Sequence, residues 1–519
     1  MSLTVSLTRV LALSPICAVN RSRHLRCSKR FSTSTLPPSI QRFTHELANE
    51  QPCYAMSASN VSILAEPRQF YQSLLEMIRR ARRRLFISSL YIGSEDLELV
   101  KALESSLQAN PSLHVYMHLD YNRCTRPEPL STANMLLPLL KQYPDRVHIW
   151  LFRSPKLKGL MAKLMPPRFN EGWGGTWHPK IYGADDDLVI SGANLNTSYF
   201  TNRQDRYVQL TGQRELADYC FSFLESAASF SFSLLPSTTD TEGYMLHWPH
   251  KDLHPHYFEK MAETTLKMFQ KTQRNHTLEK SAPMISSSEP QDGDADVLIM
   301  PVIQAGQFNV REEERCLDML LEHLAESSQN SRYEGPLIDL TSGYFGLYKP
   351  YQNLIIKSPV ASRILAASPK ANGFYGSRGV SGRIPEGYTV LERRFMRAVR
   401  AAGREWPSEL PLEDLREPGV QLSEWERDGW TYHAKGIWLR PTPSSHPCLT
   451  LFGSTNLNSR SANIDTELSF MLVTTSPSLR ARLADEVDGL RSQAHPWRGQ
   501  ERKVRPFSWF LASALSNRL

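Results

Sequence analysis

The chain repeats itself. His178-Pro-Lys180-Ile-Tyr-Gly-Ala-Asp185 and the turn Ser191-Gly-Ala-Asn194-Leu-Asn196 are echoed by His433-Ala-Lys435 and Gly453-Ser454-Thr-Asn456-Leu-Asn458. Upstream, LFISSLYIG (85–93) resembles LIDLTSGYFG (337–346). Asp205 lies 11 residues beyond Asn194, and Glu467 lies 11 beyond Asn456. An internal duplication predicts two similar domains related by a pseudo-twofold axis, with equivalent residues meeting at one shared cleft.

Hydrophobic periodicity supplies the architecture of each half. Helical spacing over 70–84, 95–109 and 132–142 alternates with short apolar runs at 85–92, 114–121 and 147–152. The same grammar returns after residue 297, with helices at 312–326 and 390–401 and strands at 337–344, 434–439, 449–452 and 468–473. Strands alternating with helices predict an α/β fold in which each sheet is covered by helices. The predicted domains are 60–274 and 297–495. Residues 275–296 are polar and aperiodic, which reads as a linker, and 496–519 is left as a C-terminal tail.

Charge is unevenly placed. The net charge is +7, and the seven Arg and Lys residues before Glu46 equal the whole excess. The body is therefore neutral, which argues against a nucleic-acid partner. An Arg-rich, Ser/Thr-rich, acid-free segment over 1–45 fits a mitochondrial presequence. No apolar run is long enough to span a bilayer, so membrane contact is expected to be peripheral. Two segments are candidates for it: 152–173, which mixes Leu160, Leu164 and Met165 with basic residues, and the C-terminal PFSWFLASALSNRL. Seven cysteines without a C-x-x-C pair give neither a disulfide scaffold nor a zinc site.

In an extended segment His178 and Lys180 project to one face, because the side-chain period is two. An imidazole can attack phosphorus or shuttle protons, and an ammonium neutralises phosphate oxygens. Asn194 and Asn456 offer amide donors to a phosphate, and Asp205 and Glu467 can orient the imidazoles. The acids at 185–187 read as a solvated turn, and no metal is expected there. There is no G-K-[ST] loop, which argues against an NTPase.

H-x-K-x4-D once and H-x-K a second time, each followed by an Asn-bearing turn, resemble the phospholipase D superfamily. RFNEGWGGTWHPKIYGADD, ISGANLNTSYFTNRQDRYV, LTSGYFGL, ASPKANGFYGS and GWTYHAKGIW narrow the resemblance to the eukaryotic mitochondrial phosphatidylglycerophosphate synthases, over residues 60–495. It implies two duplicated phospholipase D-like α-β-α domains sharing one active-site cleft. The implied activity is transfer of the phosphatidyl group of CDP-diacylglycerol to glycerol 3-phosphate through a phosphohistidine. The alternative is a phospholipase D-type phosphodiesterase or another phosphatidyltransferase. The implied catalytic set is His178, Lys180, Asp185, His433 and Lys435, with no obligatory cofactor. His178, in the complete motif, is expected to be the nucleophile, and His433 the acid and base. Asp185 is expected to brace the site rather than transfer protons. Ser89, Tyr91, Gly93 and Ser94 end a predicted strand before a helix and are candidate nucleotide contacts. Lys370, Arg378 and Arg203 are candidates for a basic acceptor subsite. The implied setting is the mitochondrial inner membrane, facing the matrix. The sequence departs from the superfamily pattern at Arg440, where an acid is usual, and at Ser191-Gly192, where Gly-Ser is usual.

Overall fold

The computed structural model describes residues 29–126, 130–156, 174–279, 284–326, 335–407, 410 and 417–518. Two mixed sheets carry the same strand order. The first runs Tyr244–His247, Phe232–Pro236, Val147–Phe152, His114–Asp120, Arg84–Ser88, Ile181–Ala184, Asp187–Ser191, Tyr207–Leu210, Val61–Leu64. The second runs Ala494–Pro496, Val420–Trp425, Ala361–Ala367, Leu337–Ser342, Lys435–Arg440, Leu449–Gly453, Glu467–Thr474, Val297–Ala305, with Tyr54–Met56 and Val310–Arg311 on the outer edge. Ile181–Ala184 pairs antiparallel with Arg84–Ser88, just as Lys435–Arg440 pairs with Leu337–Ser342. The duplication is thus a duplication of topology.

Helices cover the sheets, so central strands are apolar on both faces. Leu188, Val189 and Ile190 are all buried, as are Leu468 and Phe470 through Val473. Helix Pro67–Arg80 shows how local chemistry sets an end. Pro67 sits in its first turn, Glu66 and Gln69 form a reciprocal capping box, and Arg79 and Arg80 close the last turn.

The presequence boundary at residue 45 is corrected. Phe31–Ser32 pairs in parallel with Ile285–Ser286, and Arg30 is 2.8 Å from Asp294. Helix Pro38–Glu50 buries Ile40, Phe43 and Leu47 in the same core as Leu317, Leu320 and Leu324. Tyr54–Met56 then extends the second sheet. An acid-free composition describes charge, not burial, and residues 31–45 are part of the second domain; residues 1–28 lie outside the described residues. The segment 275–296 is corrected likewise. It contains the end of helix Glu259–Glu279 and the paired strand Ile285–Ser286, and Asp296 accepts from the Ala58 amide at 2.7 Å. The predicted tail is also structured through residue 518: helix Pro506–Arg518 packs on Ile384–Ala401.

Asp185 is placed at the turn that ends Ile181–Ala184, far along the strand from Lys180. Its φ of 52° is left-handed, a conformation Asp tolerates. Its carboxylate accepts from the backbone amides of Arg82, Arg83 and Arg84 at 2.7, 2.8 and 3.1 Å. Its inclusion in the catalytic set is therefore corrected: it locks a turn onto the start of the neighbouring strand. Asp186 pairs with Arg83, and Asp187 accepts from the Gly212 amide. At the matched position, Arg440 faces Asp339 and Asp488 and ties its strand down by ion pairs instead.

Candidate active site

The two H-x-K segments meet across the interface between the halves. Each approaches its strand by pairing with the backbone of the opposite half. The His178 amide donates to Thr466 O at 3.0 Å, and the Thr466 amide donates to Thr176 O. On the other side Thr431–Tyr432 runs parallel to Arg203–Gln204, and the His433 amide donates to Gln204 O at 2.8 Å. The strand proper begins at Ile181 in the first half, just after the lysine.

This exchange crosses the carboxylates. His178 Nδ1 is 2.8 Å from Oε2 of Glu467, and His433 Nδ1 is 2.6 Å from Oδ2 of Asp205. Each histidine is therefore oriented by an acid from the other half. At His178 an Nδ1–H donated to the carboxylate leaves Nε2 as the lone-pair nitrogen; at His433, Nδ1 lies between the Asp205 carboxylate and Lys435 Nζ, each 2.6 Å away. Nε2 of His178 has no protein partner among the described residues. Nε2 of His433 faces the Tyr199 hydroxyl at 3.4 Å. The rings of Tyr199 and Tyr344 stand edge-on to His433, with centroids 5.2 and 5.3 Å away.

The halves differ in how the acids are supported. Glu467 accepts from the hydroxyls of Ser454 and Ser461, the latter at 2.7 Å. Among the described residues no hydroxyl donates to Asp205; the Arg206 amide donates to Oδ1 at 2.8 Å, and Lys435 Nζ lies 3.4 Å from Oδ2. The Ser191-Gly192 departure follows from this packing. A Cβ at Gly192 would lie 2.5 Å from Asp205 Oδ1 and 2.5 Å from Lys435 Cδ. Behind Glu467, buried Glu313 accepts from Thr455, Ser469 and Tyr351 at 3.0, 3.0 and 3.3 Å. Burial, reinforced by the Glu467 charge, pushes Glu313 up to about 7.

His178, Lys180, His433 and Lys435 are all buried. Burial lowers both lysines, Lys180 to about 7 and Lys435 to about 8. His433 is held well below the usual imidazole range, by burial first and then by Lys435, whose Nζ lies 2.6 Å from Nδ1. His178 is lowered by burial, against which the Glu467 charge acts. Burial thus disfavours the charged form of both imidazoles in the free site. Two imidazoles and two desolvated lysines suit a phosphoryl group.

Asn194 Nδ2 donates to the Tyr199 hydroxyl at 3.1 Å, and the Leu90 amide lies 3.4 Å from its Oδ1. Asn456 Oδ1 is buried without a hydrogen-bond partner. The candidate nucleotide contacts divide. Ser89 is fully buried and gives its hydroxyl to Tyr91 O at 3.1 Å, and the Gly93 amide donates to Leu195 O at 2.7 Å. These two are corrected to strand-end supports. Tyr91 is half-buried with the Arg123 guanidinium 4.1 Å over its ring, and Ser94 is exposed. Most of the proposed membrane segment 152–173 lies outside the described residues. Tyr199, Tyr344, Ser461 and Glu313 escaped the sequence reading. Tyr344 was visible only as part of a repeated strand end.

No protein-family model matches the chain. A solved phosphatidylserine synthase from Haemophilus influenzae superposes with a TM-score of 0.64 at 18% identity, over 92% of this chain and all of that one. Two sheets of matching order, joined at paired histidines, define a duplicated phospholipase D-like fold. Among curated proteins, the CDP-diacylglycerol–glycerol-3-phosphate 3-phosphatidyltransferase of Schizosaccharomyces pombe is 34% identical over 90% of this chain and 96% of its own length. The enzymes of that name from Gallus gallus and Homo sapiens, both called mitochondrial, are 36% and 35% identical over 88% of this chain, covering 82% and 81% of theirs. The chain belongs to the family of CDP-diacylglycerol–glycerol-3-phosphate 3-phosphatidyltransferases.

Proposed function

We propose that this phosphatidyltransferase moves the phosphatidyl group of CDP-diacylglycerol to glycerol 3-phosphate by double displacement, with His178 as nucleophile. The observation that carries this is the crossed pair of imidazoles, each oriented by a carboxylate of the other half, one with an open Nε2 and one with Nε2 facing a hydroxyl. His178 Nε2 attacks the phosphatidyl phosphorus, and the bond from phosphorus to the CMP oxygen breaks. His433 gives a proton to that oxygen. Because its pKa is depressed in the free site, it gains that proton only as the anionic diphosphate enters and favours the imidazolium. In the second step neutral His433 takes the proton of the acceptor hydroxyl. The alkoxide oxygen bonds to phosphorus, the phosphorus–nitrogen bond breaks, and phosphatidylglycerophosphate leaves. Lys180 and Lys435 hold the phosphate oxygens, helped by Asn194 and Asn456. Tyr91 and Ser94 are the proposed contacts to the donor's nucleotide.

Isotope exchange tests this reading. With CDP-diacylglycerol and labelled CMP but no acceptor, the enzyme is expected to return label to the donor. His178→Ala should not. Exchange that needs glycerol 3-phosphate would instead mean direct displacement.

The lysines predict the pH profile. A depressed ammonium is charged below its pKa and neutral above it, so the phosphate-holding charge is lost as pH rises. kcat/KM, which reports the free enzyme, is expected to fall along an alkaline limb between the values of about 7 and about 8 set for Lys180 and Lys435. A kcat/KM that stays level through this range would contradict the role given to them.

The enzyme acts at a membrane surface, on our reading the matrix face of the mitochondrial inner membrane. No helix among the described residues is long and apolar enough to cross a membrane. Helix Pro506–Arg518 instead leaves Phe507 and Phe510 50% and 71% exposed, beside Trp509 at 37%. It packs with Tyr388, whose ring neighbours Tyr344 and so the edge of His433. Exposed aromatics beside the cleft suit an interface at which acyl chains stay in the bilayer. Replacing Phe507, Trp509 and Phe510 by Ser should reduce sedimentation with liposomes. Unchanged binding by the folded variant would remove this helix from the interface.

A further inference from the structure

Most arginines around the cleft are matched by carboxylates. Arg206 meets Glu486 through Nε and Nη2, both at 2.9 Å. Arg363 and Arg440 share Asp339, and Arg460 holds Asp465. Arg203 is different. Its Nη2 donates to the Tyr344 hydroxyl at 2.7 Å, and its guanidinium lies 4.6 Å over the Tyr199 ring. Its Nε is buried without a hydrogen-bond partner. No carboxylate among the described residues forms an ion pair with it. Asp205, two residues on, is already engaged by His433, Lys435 and the Arg206 amide.

The two tyrosines that hold Arg203 are those that flank His433. One side of Arg203 is bounded by Gly373, where a Cβ would lie 2.5 Å from Nη2. Gly373 is exposed, so this corner opens to water, the phase from which a soluble acceptor arrives. The other two basic candidates sit elsewhere. Lys370 is exposed and paired with Glu426 at 3.0 Å, and Arg378 is exposed on the loop before Ile384.

We propose that Arg203 binds the phosphate of the acceptor and thereby makes the enzyme specific for a phosphorylated polyol. This rests on the reading that His433 activates the acceptor hydroxyl. A guanidinium offers planar paired donors that match phosphate oxygens, and charge-assisted bonds of this kind are strong. With its phosphate on Arg203, the three-carbon backbone directs the far hydroxyl toward Nε2 of His433. Gly373 is small because a side chain there would displace the guanidinium.

The test compares glycerol 3-phosphate with glycerol as acceptors. Wild-type enzyme should prefer the phosphorylated acceptor strongly in kcat/KM. Arg203→Gln should lower that preference by roughly 10- to 100-fold, mostly through KM for glycerol 3-phosphate, with a much smaller change in KM for CDP-diacylglycerol. Arg203→Lys should recover part of it. Gly373→Val, which keeps the arginine but displaces its guanidinium, should shift the preference in the same direction. A preference unaltered by Arg203→Gln in folded enzyme overturns the proposal. A matching rise in KM for CDP-diacylglycerol overturns it in favour of the donor's diphosphate. If wild-type enzyme does not discriminate between the acceptors, it is the acceptor reading itself that fails.

Discussion

Glu467→Gln is expected to reduce turnover by about two to four orders of magnitude, comparable to removing the orienting acid of other histidine-centred sites. Glu467 is in the second half, yet the damage should be to His178 in the first. Phosphorylation at Nε2 makes the ring cationic while Nδ1 keeps its proton. A buried carboxylate 2.8 Å away stabilises that charge, and a neutral amide does not. The substitution should fit, because the Ser454 and Ser461 hydroxyls that now donate to Glu467 can also accept from an amide. Thermal unfolding should therefore change little. The crossed geometry gives the prediction a sharper form. Glu467→Gln should behave like a His178 variant and fail to release CMP from CDP-diacylglycerol. Asp205→Asn should behave like a His433 variant, releasing CMP once but turning over slowly. If the two phenotypes were exchanged, each acid would serve the histidine of its own half.

His433→Ala should separate the two chemical steps. CMP is a fair leaving group, because its phosphate spreads the departing charge. An alcohol must lose its proton to attack, so the second step depends more heavily on a base. General acid–base groups contribute about 10²- to 10⁴-fold, and that loss should fall mainly on the second step. The variant, mixed with CDP-diacylglycerol, is expected to release close to one CMP per active site and then stall, whether or not glycerol 3-phosphate is present. Continued multiple turnover at the wild-type rate would show that another group, such as Tyr199 at 3.4 Å from Nε2, activates the acceptor.

Much of this was legible from repetition. The H-x-K pairs, the Asn turns and the distal acids recur at matched spacing, and topology repeats with them. The alternation of periods located most central strands, because buried parallel and mixed strands are apolar runs between amphipathic helices. What spacing did not reveal was exchange between halves. Asp205 and His433 are distant in the chain, and only the pairing of Arg203–Gln204 with Thr431–Tyr432 brings them together. Asp185 misled because a motif position does not show which way a turn points; its left-handed backbone aims the carboxylate at three amides. Residues 31–45 misled because lack of acids was read as an address, while Phe31, Ile40 and Phe43 were core residues. Helix Glu259–Glu279 was hidden because Gln270 and Thr277 lie on its buried face and break the apolar stripe. The sequence offered Arg203 only as one of three basic candidates; its setting between Tyr199 and Tyr344, with a buried Nε lacking a hydrogen-bond partner, singles it out.

The central claim is a covalent phosphatidyl-enzyme on His178. The most direct measurement is rapid quenching of His433→Ala with CDP-diacylglycerol at neutral to alkaline pH, followed by peptide mapping by mass spectrometry. The account predicts a phosphatidyl adduct at near one per site, stable to base and lost in acid as a phosphoramidate is. It should map to the peptide containing His178 and be absent from His178→Ala. An adduct on His433 in wild-type enzyme, or none in any variant while CMP is released, would contradict it.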